Sequence, residues 1–200
     1  MNDRTRRAVV ETVLLVGLAV IIAIVLRAFV AQAFRIPSAS MEPQLLVGDR
    51  VVVSRMSYRV HDPRRGDIIV FDCPPAAGCD DEKHDALPVR AAKALGEALL
   101  IRQPDTEEFI KRVIGLPGDV VEGHDGFVFV NGSVLVEPYL PKGTVTSDFG
   151  PITVRKGKLW VMGDNRGNSA DSRVFGQIEQ RTIVGRAIVR VWPPNRVAFL

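Results

Sequence analysis

The sequence predicts a mainly β domain carried behind one apolar helix, and three observations predict it. From residue 49 onward, apolar runs of strand length recur, each bounded by Gly, Pro or Asn. Asn131-Gly132 separates two of these runs, and that pair suits the type I′ turn of a hairpin, whose two central residues both need positive φ. Ahead of them all, Thr12 to Leu26 (TVLLVGLAVIIAIVL) carries no charge.

The N-terminal element comes first. Apolar character runs from Ala8 to Phe34 if Glu11, Arg27 and Gln32 sit near the membrane interfaces. The uncharged core alone rises about 22 Å as a helix, short of the ~30 Å hydrocarbon layer, so Arg27 has to snorkel and residues 28–34 have to complete the span. The stretch also lacks the polar face of a surface helix. Residues 8–34 are therefore expected to be a single transmembrane anchor in the plasma membrane. On that reading, residues 1–7 form a short cytoplasmic N-terminus and residues 35–200 an extracytoplasmic β domain. Arg4, Arg6 and Arg7 stand before the segment, Arg27 and Arg35 in or after it, so charge sets the orientation only weakly. The same residues also spell a cleaved secretory signal, with Ala31-Gln32-Ala33 as an A-x-A site. Arg27 and the total length favour the uncleaved anchor, and the mature N-terminus distinguishes the two.

The strands follow in order: Asp49–Ser54, Asp67–Phe71, Phe109–Ile114, Phe127–Val130, Val134–Val136, Lys158–Met162 and Thr182–Trp192. Residues 73–107 interrupt them as a small insertion. Its start holds Cys73 and Cys79, a candidate disulfide that would pin a loop rather than hold the fold. Asp80-Asp81-Glu82 reads as a solvated loop, and Asp85–Ile101 as a short helix. The net charge is only +3, and the basic residues are scattered without interleaved aromatics, which argues against nucleic acid. There is no C-x-x-C, no zinc-ligand set and no EF-hand order, so no metal and no cofactor are expected.

Three segments carry candidate chemistry. In the first, Ile36-Pro37-Ser38-Ala39-Ser40-Met41-Glu42-Pro43, Ser40 follows Phe34 by six residues. At ~3.6 Å per residue it stands no more than about 22 Å from the end of the anchor, so its chemistry belongs beside the bilayer. In the second, Phe109-Ile110-Lys111-Arg112-Val113, strand alternation sets Lys111 on the face of Phe109 and Val113. Apolar surroundings disfavour its ammonium form. An edge-strand lysine that blocks aggregation is the plainer reading of that segment alone. The third segment, Gly163 to Arg173 (GDNRGNSADSR), has the composition of a surface loop. Asp171 and Arg173 are spaced to pair if it is extended.

Taken with Arg65-Gly66-Asp67-Ile68-Ile69-Val70-Phe71 and the hairpin from Val130 to Tyr139, these segments resemble the bacterial type I signal peptidases over most of residues 34–192. The resemblance implies a membrane-bound serine endopeptidase with a signal-peptidase-like β catalytic domain. It implies Ser40 as nucleophile, Lys111 as general base, and an oxyanion hole from the Ser38 hydroxyl and the Ser40 N–H. It further implies Ser169 as the residue that orients the lysine, braced by Asp171 and Arg173, and Phe34, Ile36, Met41, Leu45, Phe109 and Ile110 as walls of the substrate pockets. The implied partners are signal-peptide-bearing preproteins and the lipid bilayer.

The chemistry of these residues is compatible with that expectation. A neutral amine can take a serine proton without any histidine, forming an acyl-enzyme. An extended substrate presents its first and third residues before the cut to one face, so two shallow pockets select A-x-A. His61, His84 and His124 lie outside the motifs and read as loop residues. A silent β scaffold would tolerate change at Ser40 and Lys111, and a self-cleaving repressor would need a DNA-binding unit where the apolar segment stands.

Overall fold

The computed structural model describes residues 11–20, 31–78 and 108–200. The last two stretches form two antiparallel sheets, so the mainly β expectation holds. The larger sheet runs β1 (Ala31–Arg35), β2 (Arg50–Ser54), β11 (Ile183–Trp192), β3 (Ile68–Asp72), β4 (Glu108–Gly115), β9 (Lys158–Met162) and β10 (Ile178–Glu179), with β12 (Ala198–Phe199) also on β11. The smaller runs β7 (Ser133–Val134), β6 (Phe127–Val130), β5 (Val120–His124) and β8 (Phe149–Thr153).

Each predicted run overlaps a strand with ends shifted by at most two residues, although the run Val134–Val136 keeps only Val134, in β7. The Asn131-Gly132 turn is as expected, with φ of 53° and 76° joining Val130 to Ser133. Asp125-Gly126 makes a second turn of that kind, at 51° and 84°, between β5 and β6. Strands β1, β5, β8, β10 and β12 were not expected. In β8 the reason is Pro151, which cannot donate to a ladder and is tolerated because β8 is an edge strand.

The C-terminal part of the expected anchor is corrected. Ala31–Phe34 is not helical but pairs residue for residue with Ser54–Val51. The strand covers the otherwise open edge of β2 and buries Phe34 to 3% exposure. Residues 11–20 are helical and exposed. Among the described residues no helix is long and apolar enough to cross a membrane; the rest of the expected span, 8–10 and 21–30, lies outside them. So do Cys79, Asp80-Asp81-Glu82, His84 and the helix expected at 85–101. Cys73 is disulfide-bonded.

Three apolar clusters form the core. One lies among β1, β2, β3 and β11 and takes in Met41 and Leu45. A second, on the other side of β3, β4 and β9, is closed by the helical turn Ser172–Phe175. Here Phe71, Phe109 and Phe175 meet pairwise with centroids 5.9–6.3 Å apart, edge-on or tilted, which fixes the Phe109 ring. The third joins the smaller sheet to β4 and β9 through Ile114, Val121, Val128, Trp160 and Met162. Strand β4 touches all three, so a side chain at its middle is held from every side.

Candidate active site

The Ser40 segment is extended at Ser38 and then closes into one 3-10 turn, Ala39–Met41. Met41 and Leu45 are fully buried and root that turn in the core. Farther along, the Gln44 carbonyl accepts from Arg190 of β11 and from Arg196, which tightens the exit of the turn. Ser40 is thereby left on a wall that faces β4.

Lys111 comes from the middle of β4, with its backbone opposite Ile69 of β3. Its amine donates to Ser40 Oγ at 2.8 Å and to the Ile110 carbonyl at 2.9 Å. The residue is 4% exposed, and Nζ lies 5.3 Å from the Phe109 ring centroid, on the face that alternation predicts. Burial pushes its pKa down to about 8, against the opposing pull of the Asp171 and Asp164 carboxylates. Asp164 is itself claimed by Arg112, through bonds of 2.8 and 2.6 Å. Arg112 also donates to the Gly66 carbonyl and stacks 3.8 Å over Tyr139. Lysine and carboxylate therefore share a site without pairing directly.

The Gly163–Arg173 loop packs against the Ser40 turn. Asp171 and Arg173 do pair, at 2.9 and 2.8 Å, though not because the chain is extended. Asp171 caps the turn Ser172–Phe175, accepting from the Arg173 N–H, and also accepts from the Gly163 N–H at 3.0 Å. Burial raises the Asp171 carboxyl, but the Arg173 guanidinium and the two N–H groups outweigh it and hold the pKa below the usual value. The Ser169 hydroxyl is buried and has no hydrogen-bond partner among the described residues, so the expected bond to Lys111 is not made here. Ser169 instead lies against Gly163, where an added Cβ would stand 2.2 Å from Ser169 Oγ and 2.4 Å from the Ser40 carbonyl oxygen.

A cleft of about 490 Å³ opens over the pair, walled by Pro37–Ser40 on one side, Glu108–Lys111 on the other, and Asn168 and Ala170. Ser38 Oγ lies 3.3 Å from Ser40 Oγ. A small recess of about 20 Å³ adjoins it, lined by Phe34, Ile36, Phe109 and Ile110 among others. Two of the expected pocket walls are corrected: Met41 and Leu45 are sealed in the core beneath the turn and line neither space. His61 bonds the Asp62 carbonyl, and His124 stacks on Phe129 beside Asp125; neither lines the cleft. Among the described residues, no cluster has the side chains to hold a metal ion.

Sequence reasoning missed Arg112, Asp164, Asn165 and the cleft residues Glu108, Asn168 and Ala170. For Arg112 and Asp164 a signal was present, since Arg112 is a second charge beside Lys111 in an otherwise apolar strand and Asp164 opens the same polar loop that carries Asp171 and Arg173.

Comparison with known proteins shows a serine endopeptidase and gives its kind. The sequence pattern described as signal peptidase, peptidase S26, matches residues 9–192, and the chain belongs to that family. It is 42% identical over 182 residues to a probable signal peptidase I-2 of Synechocystis, covering 91% of this chain and 72% of the relative. It is 42% identical over 190 residues to a signal peptidase I of Leptolyngbya laminosa, covering 95% and 83%. It is also 37% identical to a signal peptidase I of Mycobacterium tuberculosis, covering 93% and 73%. A crystal structure of a signal peptidase I from Enterococcus faecalis superimposes with a TM-score of 0.43 at 29% identity, covering 63% of this chain and 97% of that one.

Proposed function

We propose that this enzyme removes signal peptides from exported preproteins after Ala-x-Ala, using Ser40 as nucleophile and Lys111 as general base. The observation that carries the reading is the 2.8 Å contact between a buried amine and the Ser40 hydroxyl, at the wall of a cleft. With its pKa at about 8, the amine is neutral in roughly one molecule in ten at pH 7, against about one in 2,500 for an unperturbed lysine. The neutral amine takes the Oγ proton as oxygen attacks the scissile carbonyl. It then returns that proton to the leaving amine, and a water molecule hydrolyses the acyl-enzyme by the same relay.

The Ser40 N–H and the Ser38 hydroxyl receive the negative charge that develops on the carbonyl oxygen. Asp171, held by Arg173, is the charged support behind the lysine, and the buried Ser169 hydroxyl, without another partner among the described residues, is the group that orients the amine. An extended substrate offers its first and third side chains to one face, and a recess of about 20 Å³ has room for a group only about the size of a water molecule. A small residue follows at the position that enters this recess, and Ala-x-Ala meets that requirement. The uncharged run at 12–26, together with the apolar residues that flank it ahead of β1, anchors the enzyme as a single-pass protein in the plasma membrane, with the catalytic domain on the outer side. Ser40 is then carried close to the membrane, only nine residues after β1 begins.

Purified protein is expected to cut a peptide in which Ala-x-Ala follows a hydrophobic run, and to leave the same peptide intact with large residues at both alanines. Ser40→Ala and Lys111→Ala should each lower cleavage by at least about a thousandfold while the circular dichroism spectrum is kept, as for removal of other nucleophile or base residues. Undiminished cleavage by either folded variant would remove the pair from the mechanism.

A further inference from the structure

The Asn165 side chain touches neither Ser40 Oγ nor Lys111, yet Asn165 holds the peptide groups on both sides of Ser40. Its side-chain nitrogen donates to the Ala39 carbonyl at 3.1 Å, and its backbone N–H donates to the Ser40 carbonyl at 3.0 Å. The amide's orientation is not ambiguous, since a carbonyl can only accept. A trans peptide group is planar, and its N–H points away from its C=O. Fixing the Ala39 carbonyl toward the loop therefore aims the Ser40 N–H the opposite way. The second bond fixes the peptide group that follows, so the backbone at Ser40 is held from both ends.

We infer that Asn165 is a positioning residue, which sets the oxyanion-binding N–H of Ser40 by clamping the Ala39 and Ser40 carbonyls. The inference rests on the Ser40/Lys111 reading above and adds to it. Ala39 O also accepts from the Glu42 N–H within the 3-10 turn, at 3.1 Å. Loss of the asparagine amide therefore loosens the peptide plane without unfolding the turn. Asn165 is itself fixed, because Asp164 is locked to Arg112 and the Asn168 N–H donates to the Asn165 carbonyl. The loop thus acts on the transition state through the backbone of the nucleophile. Binding of the uncharged substrate should hardly change.

The test compares wild type, Asn165→Ala and Ser40→Ala, using a peptide substrate and two inhibitors. One inhibitor is an Ala-x-Ala peptide ending in an aldehyde. The Ser40 oxygen adds to its carbonyl carbon, the Oγ proton passes to Lys111, and the former carbonyl oxygen takes up the negative charge. The other inhibitor is the matching peptide alcohol, which cannot form that adduct. Asn165→Ala is expected to lower kcat about tenfold or more with KM within about twofold, because a misaimed oxyanion donor loses part of the 10²–10³ that full removal costs. Its affinity for the aldehyde should fall by a similar factor, with affinity for the alcohol unchanged. The ratio of the two affinities reports only on folded protein. Asn165→Asp, which keeps the shape and loses the donor, should show the same loss if the alanine variant folds poorly. Should wild type prefer the aldehyde, Ser40→Ala lose that preference and both Asn165 variants keep it, the inference about Asn165 is overturned while the Ser/Lys reading stands. If wild type shows no preference, or Ser40→Ala keeps both preference and turnover, the underlying reading fails.

Discussion

At Lys111 the requirements of folding and of chemistry oppose each other. Its folded pKa of about 8 lies below the ordinary 10.5, with burial as the cause. Between those two values the unfolded chain binds more protons than the folded one, so stability rises with pH across that window and is lowest below it. At pH 7 the lysine costs the fold about 3 kcal/mol relative to an unperturbed one. Lys111→Met removes that cost, and it also removes the bonds to Ser40 Oγ and the Ile110 carbonyl, worth about 1 kcal/mol together after solvation. The variant is expected to be inactive and to melt a few degrees higher than wild type at pH 7, with the gap closing as pH approaches 10. Thermal denaturation at both pH values checks this, and a variant that melts lower at pH 7 contradicts it. In wild type, kcat/KM should climb through a pKa near 8 and level off above it. A limb governed by a group near 6.5 instead would point away from the lysine.

The Gly163–Arg173 loop is the element that converts a strand and a turn into a site. Gly163 admits the Ser40 carbonyl and the Ser169 side chain so closely that a methyl group would overlap both backbone and side chain. Gly163→Ala forces the loop away from the nucleophile. The expected cost is about 1–3 kcal/mol of stability and at least a tenfold loss of kcat. Urea denaturation paired with steady-state kinetics measures both, and an alanine variant of unchanged kcat would show that the close packing has no bearing on catalysis. Legibility in the sequence divides along similar lines. Strands such as Lys158–Met162, and the Asn131-Gly132 turn, are marked by residues within a few positions of one another. Lys111 was readable because one charge in an apolar strand is locally anomalous. Asn165 was not, because its side-chain partner lies 126 positions away in a loop that looks like any polar loop. Ala31–Phe34 misled for a related reason: apolar residues after an apolar run look like more helix until β2 is there to pair with them. Met41 and Leu45 look like pocket walls from their nearness to Ser40, whereas both side chains are buried in the core beneath the nucleophile's turn.

Across the whole molecule, the site depends on how the smaller sheet is tied to the larger one. Besides the apolar cluster they share, the tie is polar and buried. Arg166, 4% exposed, donates to Glu137 and Thr146, and the Tyr139 hydroxyl donates to the same Glu137. Tyr139 in turn lies under Arg112, whose other face of contacts holds Asp164. An error in this tie is therefore transmitted along Arg112 to a carboxylate that acts on the lysine. Arg166→Met leaves Glu137 without its cation, and breaking a buried pair from one side costs about 3–5 kcal/mol. Replacing both, Arg166→Met with Glu137→Leu, removes the stranded charge, so it should be less destabilising than the sum of the single changes. The coupling should exceed about 1.5 kcal/mol in a double-mutant cycle read by urea denaturation. Additivity of the two would mean that the sheets are held by their apolar contact alone. If the tie also positions the site, the single Arg166 variant should lose kcat at a temperature where it is still folded, and the double variant should regain part of it.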